Sequence, residues 1–261
     1  MYYNVGIVGF GTMGRALAAG IRRADPGAVV TASTTRRSAA ATPFGATVTS
    51  TQEVIRCSDL IVLAVKPAHV GSVLAEIEPL TERRHTVVSV AAGVSIASIR
   101  KGLGDRCAVL RAMPNIACEV GAGATALAHD GSDVLAARRV ASLFDLLGEV
   151  VTVDETLLDA VTALSGCGPA YMAFVADALG NAAASIGLPY ALSRRLVAQT
   201  MLGTGRLMLE TGAHPGLIRE HVATPAGRTL RALAELESSN LRQTFQRALS
   251  AAMDRGQRRN R

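Results

Sequence analysis

Through its first 155 positions the chain carries short apolar runs at intervals: NVGIVGF (4–10), AVVTAST (28–34), DLIVLAV (59–65), TVVSVAA (86–92), CAVLRAM (107–113), GATALAHD (123–130) and GEVVTVD (148–154). Several are apolar at consecutive positions, so the strands they predict are buried on both faces. Helical spacing fills the gaps. GFGTMGRALAAGIRRA (9–24) stops before Asp25-Pro26-Gly27, and SDVLAARRVASLFDLLG (132–148) precedes the last run. The runs at 59–65 and 86–92 are each followed by a helix-like segment. Strands alternating with helices predict an α/β fold, a mostly parallel sheet covered on both sides.

After about residue 155 the strand pattern stops. PAYMAFVADALGNAAASIGL (169–188) sets Tyr171, Phe174, Val175, Ala178, Leu179, Ala182 and Ile186 on one helical stripe. A second long helix follows over 190–212, and shorter ones after His214. The pattern therefore predicts two domains, α/β over 1–155 and all-α over 156–261. The second is rich in alanine and glycine on more than one helical face. Small-residue helices make a thin core alone and pack closely on copies of themselves, so a homo-oligomer formed through these helices is expected, at least a dimer.

Composition changes this picture little. The chain has 261 residues, 49% hydrophobic, and a formal charge of +6, to which the terminal Arg255, Arg258, Arg259 and Arg261 contribute heavily. With 3% aromatic residues and no tryptophan, stacking platforms for nucleic acid are scarce, and no nucleic-acid partner is expected. A basic surface also suits a small anionic substrate. No uncharged apolar run long enough to span a membrane stands out, and no basic segment precedes the first apolar run, so neither membrane nor signal peptide is expected. Cys57, Cys107, Cys118 and Cys167 are scattered without ligand spacing, which points to free thiols in a reducing cytoplasm. The five histidines are equally dispersed, and no metal site is expected.

Chemistry enters at Gly9-Phe10-Gly11-Thr12-Met13-Gly14, a G-x-G-x-x-G that follows a strand and opens a helix. Gly9 permits the tight turn, Gly11 lets the backbone approach a pyrophosphate, and Gly14 lets helix pack on strand. The first domain is thus expected to be a Rossmann-type doubly wound sheet that binds a dinucleotide. An acid at the end of the second strand would bind the ribose 2′-hydroxyl of NAD. Here Ser33, Thr34, Thr35, Arg36 and Arg37 stand there instead, which favours NADP(H) over NAD(H).

Six segments in order, VGIVGFGTMG (5–14), LAVKP (63–67), SVAAG (89–93), RAMPN (111–115), SGCGPAY (165–171) and HVATPAGRT (221–229), resemble the pyrroline-5-carboxylate reductase family almost to the end of the chain. The resemblance implies NADPH-dependent reduction of the cyclic imine 1-pyrroline-5-carboxylate to L-proline, the last step of proline biosynthesis, and a C-terminal helical domain that dimerises. It implies that Ala64, Val65, Lys66 and Pro67 line the cofactor cleft, with Ala91, Ala92, Gly93, Met113, Pro114 and Asn115 beside the nicotinamide. It also implies that Thr224, Ala226, Gly227, Arg228 and Thr229 hold the substrate carboxylate, reaching the site from a partner subunit, with Thr229 near the imine nitrogen as the catalytic side chain. The chain departs from the family pattern at Cys167, usually serine, at Ala226, usually glycine, at Arg228, usually small, and at Ile116-Ala117, commonly Thr-Pro. Two alternatives go with these departures: reduction of a related cyclic imino acid, or an inactive NADP-binding homologue.

Imine reduction needs hydride at carbon and a proton on nitrogen, and the cofactor carries the hard step. No covalent intermediate is required, and no base stands near Cys167 in sequence, so Gly166 and Gly168 are read as allowing close approach to the cofactor. Pro169 then starts the long helix. Thr224 is expected either to cap the helix beginning near 228 or to bind substrate. Related two-domain hydroxyacid dehydrogenases use a lysine early in that long helix. The two lysines here, Lys66 and Lys101, both precede it, which disfavours alcohol oxidation.

Overall fold

The computed structural model describes residues 4–34, 44–225 and 227–254. The chain divides into two compact units, Met1–Pro169 and Ala170–Arg261. The strands are β1 (Asn4–Val8), β2 (Val29–Ser33), β3 (Thr47–Thr49), β4 (Leu60–Leu63), β5 (Thr86–Ser89), β6 (Ala108–Met113), β7 (Gly123–Ala128) and β8 (Gly148–Thr152). They form one sheet in the order β3-β2-β1-β4-β5-β6-β7-β8. Every pairing is parallel except β6 with β7, where Met113 faces Ala126 and Arg111 faces Ala128.

Helices α1 (Thr12–Ala24), α2 (Thr51–Cys57), α3 (Val70–Ile77), α4 (Ile96–Leu103) and α5 (Val134–Asp145) connect these strands. The sheet is apolar on both faces, as the unbroken runs demand, and two cores result. One face packs Leu17, Ile21, Val140 and Phe144 against Ile7 and Val62. The other packs Val54, Ile55, Leu74 and Ile99 against Ile61 and Leu63. The order reverses between β1 and β4, whose following helices leave in opposite directions. The crevice at the carboxyl ends there is where open α/β sheets take ligands.

Residues 155–169 pack on this first unit: Leu158 and Ala163 are buried, Leu158 beside Met113, Ala126 and Ala128. After α6 (Leu158–Val161) the chain makes a wide π-type turn, Thr162–Gly166, closed by the Cys167 N–H donating to the Thr162 carbonyl at 2.9 Å. Such turns concentrate at functional sites.

The second unit holds α7 (Gly168–Ser185) from Ala170 on, α8 (Tyr190–Thr211), α9 (Pro215–Val222), α10 (Arg228–Ser238) and α11 (Leu241–Met253). Among its described residues only Gly180 and Ser193 are buried. The predicted stripe is largely solvent-facing in the single chain, with Phe174 76% and Ile186 79% exposed, and α7 ends one residue short of Ile186, which lies in the turn that follows. A unit that buries so little has no core of its own. The helical stretch Glu155–Ser185 also reaches a mean hydropathy of 1.2, which by length and composition alone is enough to cross a membrane. Its acids Glu155, Asp159 and Asp177 interrupt it, and the uncharged stretch between Asp159 and Asp177 carries Thr162, Ser165, three further small residues of the SGCG segment and Pro169.

Candidate active site

A cleft of about 490 Å³ opens at the carboxyl ends of β1, β2 and β4. Seven of the expected cofactor residues line it together: Gly9, Gly11, Ser33, Thr34, Ala64, Val65 and Lys66. Backbone pairing fixes its floor. The Gly9 N–H donates to the Ser33 carbonyl at 3.1 Å, and the Ala64 N–H to the Val8 carbonyl at 2.8 Å.

Each glycine has a separate cause. Gly9 has φ of +102°, and an added Cβ would lie 2.7 Å from both the Ala64 carbonyl oxygen and Val65 Cγ1. At Gly14 an added Cβ would lie 2.3 Å from the Gly9 carbonyl oxygen, so α1 sits on the loop only because position 14 has no side chain. At Gly11 nothing lies within 4 Å of the added Cβ. Gly11 lines the cleft, and the open space beside it fits the close approach of a pyrophosphate. Thr12 and Met13 begin α1, whose N-cap is Gly11 and whose first turn carries no acid, so its positive end faces the cleft unneutralised.

Tertiary structure adds residues that sequence did not nominate. Thr49, Ser50 and Thr51 bring hydroxyls to the cleft beside Ser33, and Thr51 Oγ1 donates to Ser33 Oγ at 3.3 Å. His69, Val73 and Glu76 line it from the α3 side. Ser50 caps α2 by accepting from the Glu53 N–H at 3.2 Å. A serine followed three residues later by glutamate is a helix-start signal that the apolar pattern alone passes over. Arg36 falls outside the described residues.

The second group of expected residues lies at the ends of β5 and β6. Ala91 is buried, Ala92 and Gly93 are exposed, and Gly93 has φ of +74°. Pro67 opens a short 3-10 turn and, with Gly93, borders the groove between α3 and α4. Met113, Pro114 and Asn115 are buried, and Met113 Sδ would lie 3.8 Å from a Cβ added at Gly166. The Asn115 side chain is wholly engaged with backbone. Oδ1 accepts from the N–H groups of Ala117 (3.2 Å) and Ala124 (3.4 Å), and Nδ2 donates to the Ser165 carbonyl at 3.2 Å. It thereby ties β6 and β7 to the wide turn that precedes Cys167. The Cys167 thiol is half-buried.

The third group belongs to the helical unit. Thr224 and Arg228 are exposed, Gly227 and Thr229 half-buried, and Ala226 lies outside the described residues. The Gly227 N–H donates to the Thr224 carbonyl at 2.9 Å, closing the turn ahead of α10. The N-cap of α10 is Gly227, with no side-chain cap among the described residues, so Thr224 does not fill the capping role. A Cβ at Gly227 would come within 2.3 Å of Thr224 Oγ1.

Comparison with known proteins follows these geometric lines. Residues 155–259 match the family described as pyrroline-5-carboxylate reductase dimerisation, and residues 4–93 the family described as NADP oxidoreductase, coenzyme F420-dependent. The chain is 42% identical to a pyrroline-5-carboxylate reductase of Synechocystis sp. over 209 residues, covering 79% of this chain and 77% of that protein. It is 36% identical to the Glycine max enzyme of the same name, covering 97% and 94%. Among solved structures it resembles a Plasmodium falciparum pyrroline carboxylate reductase with NADP bound, at 28% identity and a TM-score of 0.86, covering 97% of this chain and 96% of that one. A Coxiella burnetii pyrroline-5-carboxylate reductase aligns at 32% identity and a TM-score of 0.85, covering 98% and 97%.

Proposed function

The chain belongs to the pyrroline-5-carboxylate reductase family, and from that premise we propose that it reduces 1-pyrroline-5-carboxylate to L-proline with NADPH. The observation that carries this is the convergence of seven expected residues on one cleft at the switch point of the sheet, with a glycine cradle open at Gly11. NADPH, when bound, supplies hydride to the imine carbon. The chain's own residues do the rest. Gly11 and the start of α1 hold the pyrophosphate by backbone N–H groups, over the tight turn made at Gly9. Ser33 and Thr34, with Thr49, Ser50 and Thr51 alongside, offer hydroxyls where an NAD-selective site would present an acid. Glu76 enters the cleft from α3 rather than from the end of β2. Arg36 completes the 2′-phosphate site in this proposal.

The substrate carboxylate takes the turn at Thr224–Thr229, where the N–H groups opening α10 and the positive end of that helix favour an anion. The turn comes from a partner subunit. The dimerisation family match over 155–259 supports a homo-oligomer, and it accounts for the exposed leucines and Phe174 of the helical unit. Thr229, with a water, delivers the proton to nitrogen, or leaves it there when the imine binds protonated. The four thiols are all free, which suits a reducing, cytoplasmic compartment. Steady-state oxidation of NADPH and NADH with pyrroline-5-carboxylate tests the proposal. A higher kcat/KM with NADPH, and a kcat lowered at least about tenfold by Thr229→Ala at unchanged NADPH affinity, are expected. No oxidation of either cofactor would refute it.

A further inference from the structure

Arg111 stands in mid-β6 and is 5% exposed, an unusual place for a guanidinium. Its Nη1 donates to Glu155 Oε1 at 2.9 Å. The same carboxylate oxygen accepts the backbone N–H of Ile96 at 2.7 Å. Ile96 is the first residue of α4, immediately after the 90–95 loop that carries Ala91, Ala92 and Gly93. The other end of that loop is Ser89, which pairs with Arg111 across β5 and β6 and whose Oγ accepts from the Ala91 N–H at 3.3 Å. The Ser89 end of the loop is thus held by backbone pairing with β6, and the Ile96 end by the Arg111 side chain acting through Glu155. Among the described residues, Arg111 Nη2 is buried without a hydrogen-bond partner and Glu155 is the one carboxylate paired with this charge.

We propose that Arg111 and Glu155 are a positioning pair that fixes the Ala91–Gly93 loop for hydride transfer. The inference rests on the reading that this loop borders the nicotinamide. Neither side chain touches the reacting atoms. Their work is to hold a glycine-containing loop, with its φ of +74° at Gly93, in one conformation on the face where a misplacement of about 1 Å costs on the order of a hundredfold in rate.

Removing one partner of a buried pair leaves an uncompensated charge and endangers folding, whereas replacing both with apolar groups of similar volume often does not. The test is therefore the double variant Arg111→Met with Glu155→Met, beside Glu155→Gln. The glutamine keeps an oxygen for both N–H donors but not the charge, so its stability is followed by thermal melts and its rate is taken on the folded protein. Full-length protein is assayed for kcat, for KM of each substrate, for NADPH affinity by fluorescence, and for the primary deuterium isotope effect with NADPH labelled at the transferred position. The double variant is expected to lose at least about tenfold in kcat, to bind NADPH within about threefold of wild type, and to show a larger isotope effect on kcat as hydride transfer becomes more limiting. Glu155→Gln is expected to retain most of the rate. A double variant with wild-type kcat and isotope effect overturns the inference alone. A wild-type protein that reduces no pyrroline-5-carboxylate overturns the catalytic reading, and the inference with it.

Discussion

Replacing Gly11 by alanine separates cofactor binding from folding. Gly11 has φ of −81° and ψ of −160°, an extended conformation open to any L-residue, and nothing lies within 4 Å of the added methyl. On the folding side two small effects oppose each other. Alanine reduces the entropy of the unfolded chain, worth about 0.4–1 kcal/mol, and it is a poorer N-cap than glycine by a similar amount. Stability is therefore expected to stay within about 1 kcal/mol of wild type. On the binding side the methyl occupies the space a pyrophosphate would take, an overpacking of about 1–3 kcal/mol. That is roughly a 5- to 150-fold loss in NADPH affinity. Gly14→Ala is the counterpart. Its methyl would meet the Gly9 carbonyl oxygen at 2.3 Å inside the protein, so the cost falls on the fold, about 1–3 kcal/mol or roughly 2–10 °C in Tm. Fluorescence titration with NADPH and thermal melts at one fixed protein concentration read both quantities. A Gly11→Ala protein that binds NADPH like wild type, or that melts as low as Gly14→Ala, would refute the placement of the pyrophosphate at this loop.

Other outcomes follow from the same geometry. Cys167→Ser is expected to keep kcat within about threefold, because no step needs a thiol nucleophile; a loss of several orders of magnitude in a folded variant would reverse that. Burial, with Arg84 nearby, holds the His85 imidazole below its usual value of 6.5. The unfolded chain therefore takes up the proton first as pH falls, and stability present above about 6.5 is lost below it. Urea melts at pH 7.5 and 5.5 should show this loss, and His85→Gln should shrink it. Asn115→Ala strands the N–H groups of Ala117 and Ala124 and the Ser165 carbonyl, and is expected to cost at least about 2 kcal/mol in a denaturant titration.

Strands β1, β4, β5 and β6 were legible because they are buried nearly throughout and read as apolar runs, while β2, β7 and the largely exposed β8 still carried enough apolar positions to register. β3 was not, since Thr47-Val48-Thr49 is too short and polar to register as an apolar run. The glycine cradle was legible because three constraints, turn, approach and packing, each forbid a side chain at a fixed spacing. Thr49, Ser50 and Thr51 reach the cleft only through the pairing of β2 with β3, which no local pattern reveals. The link between Arg111 and Glu155, 44 positions apart, is equally invisible. In the helical unit the apolar stripe from Tyr171 to Ala182 lies on α7, Ile186 falls just past the end of that helix, and both Phe174 and Ile186 meet solvent here. A pattern shows that a face must be covered, not by what.

Deuteride tracing tests the central claim most directly. The protein is incubated with pyrroline-5-carboxylate and NADPH carrying deuterium at the transferred position, and the product is analysed by mass spectrometry and NMR. L-Proline with deuterium on the former imine carbon, formed one-to-one with NADP, is the predicted result. Unlabelled product, or cofactor bound in the cleft with no proline formed, would contradict the account.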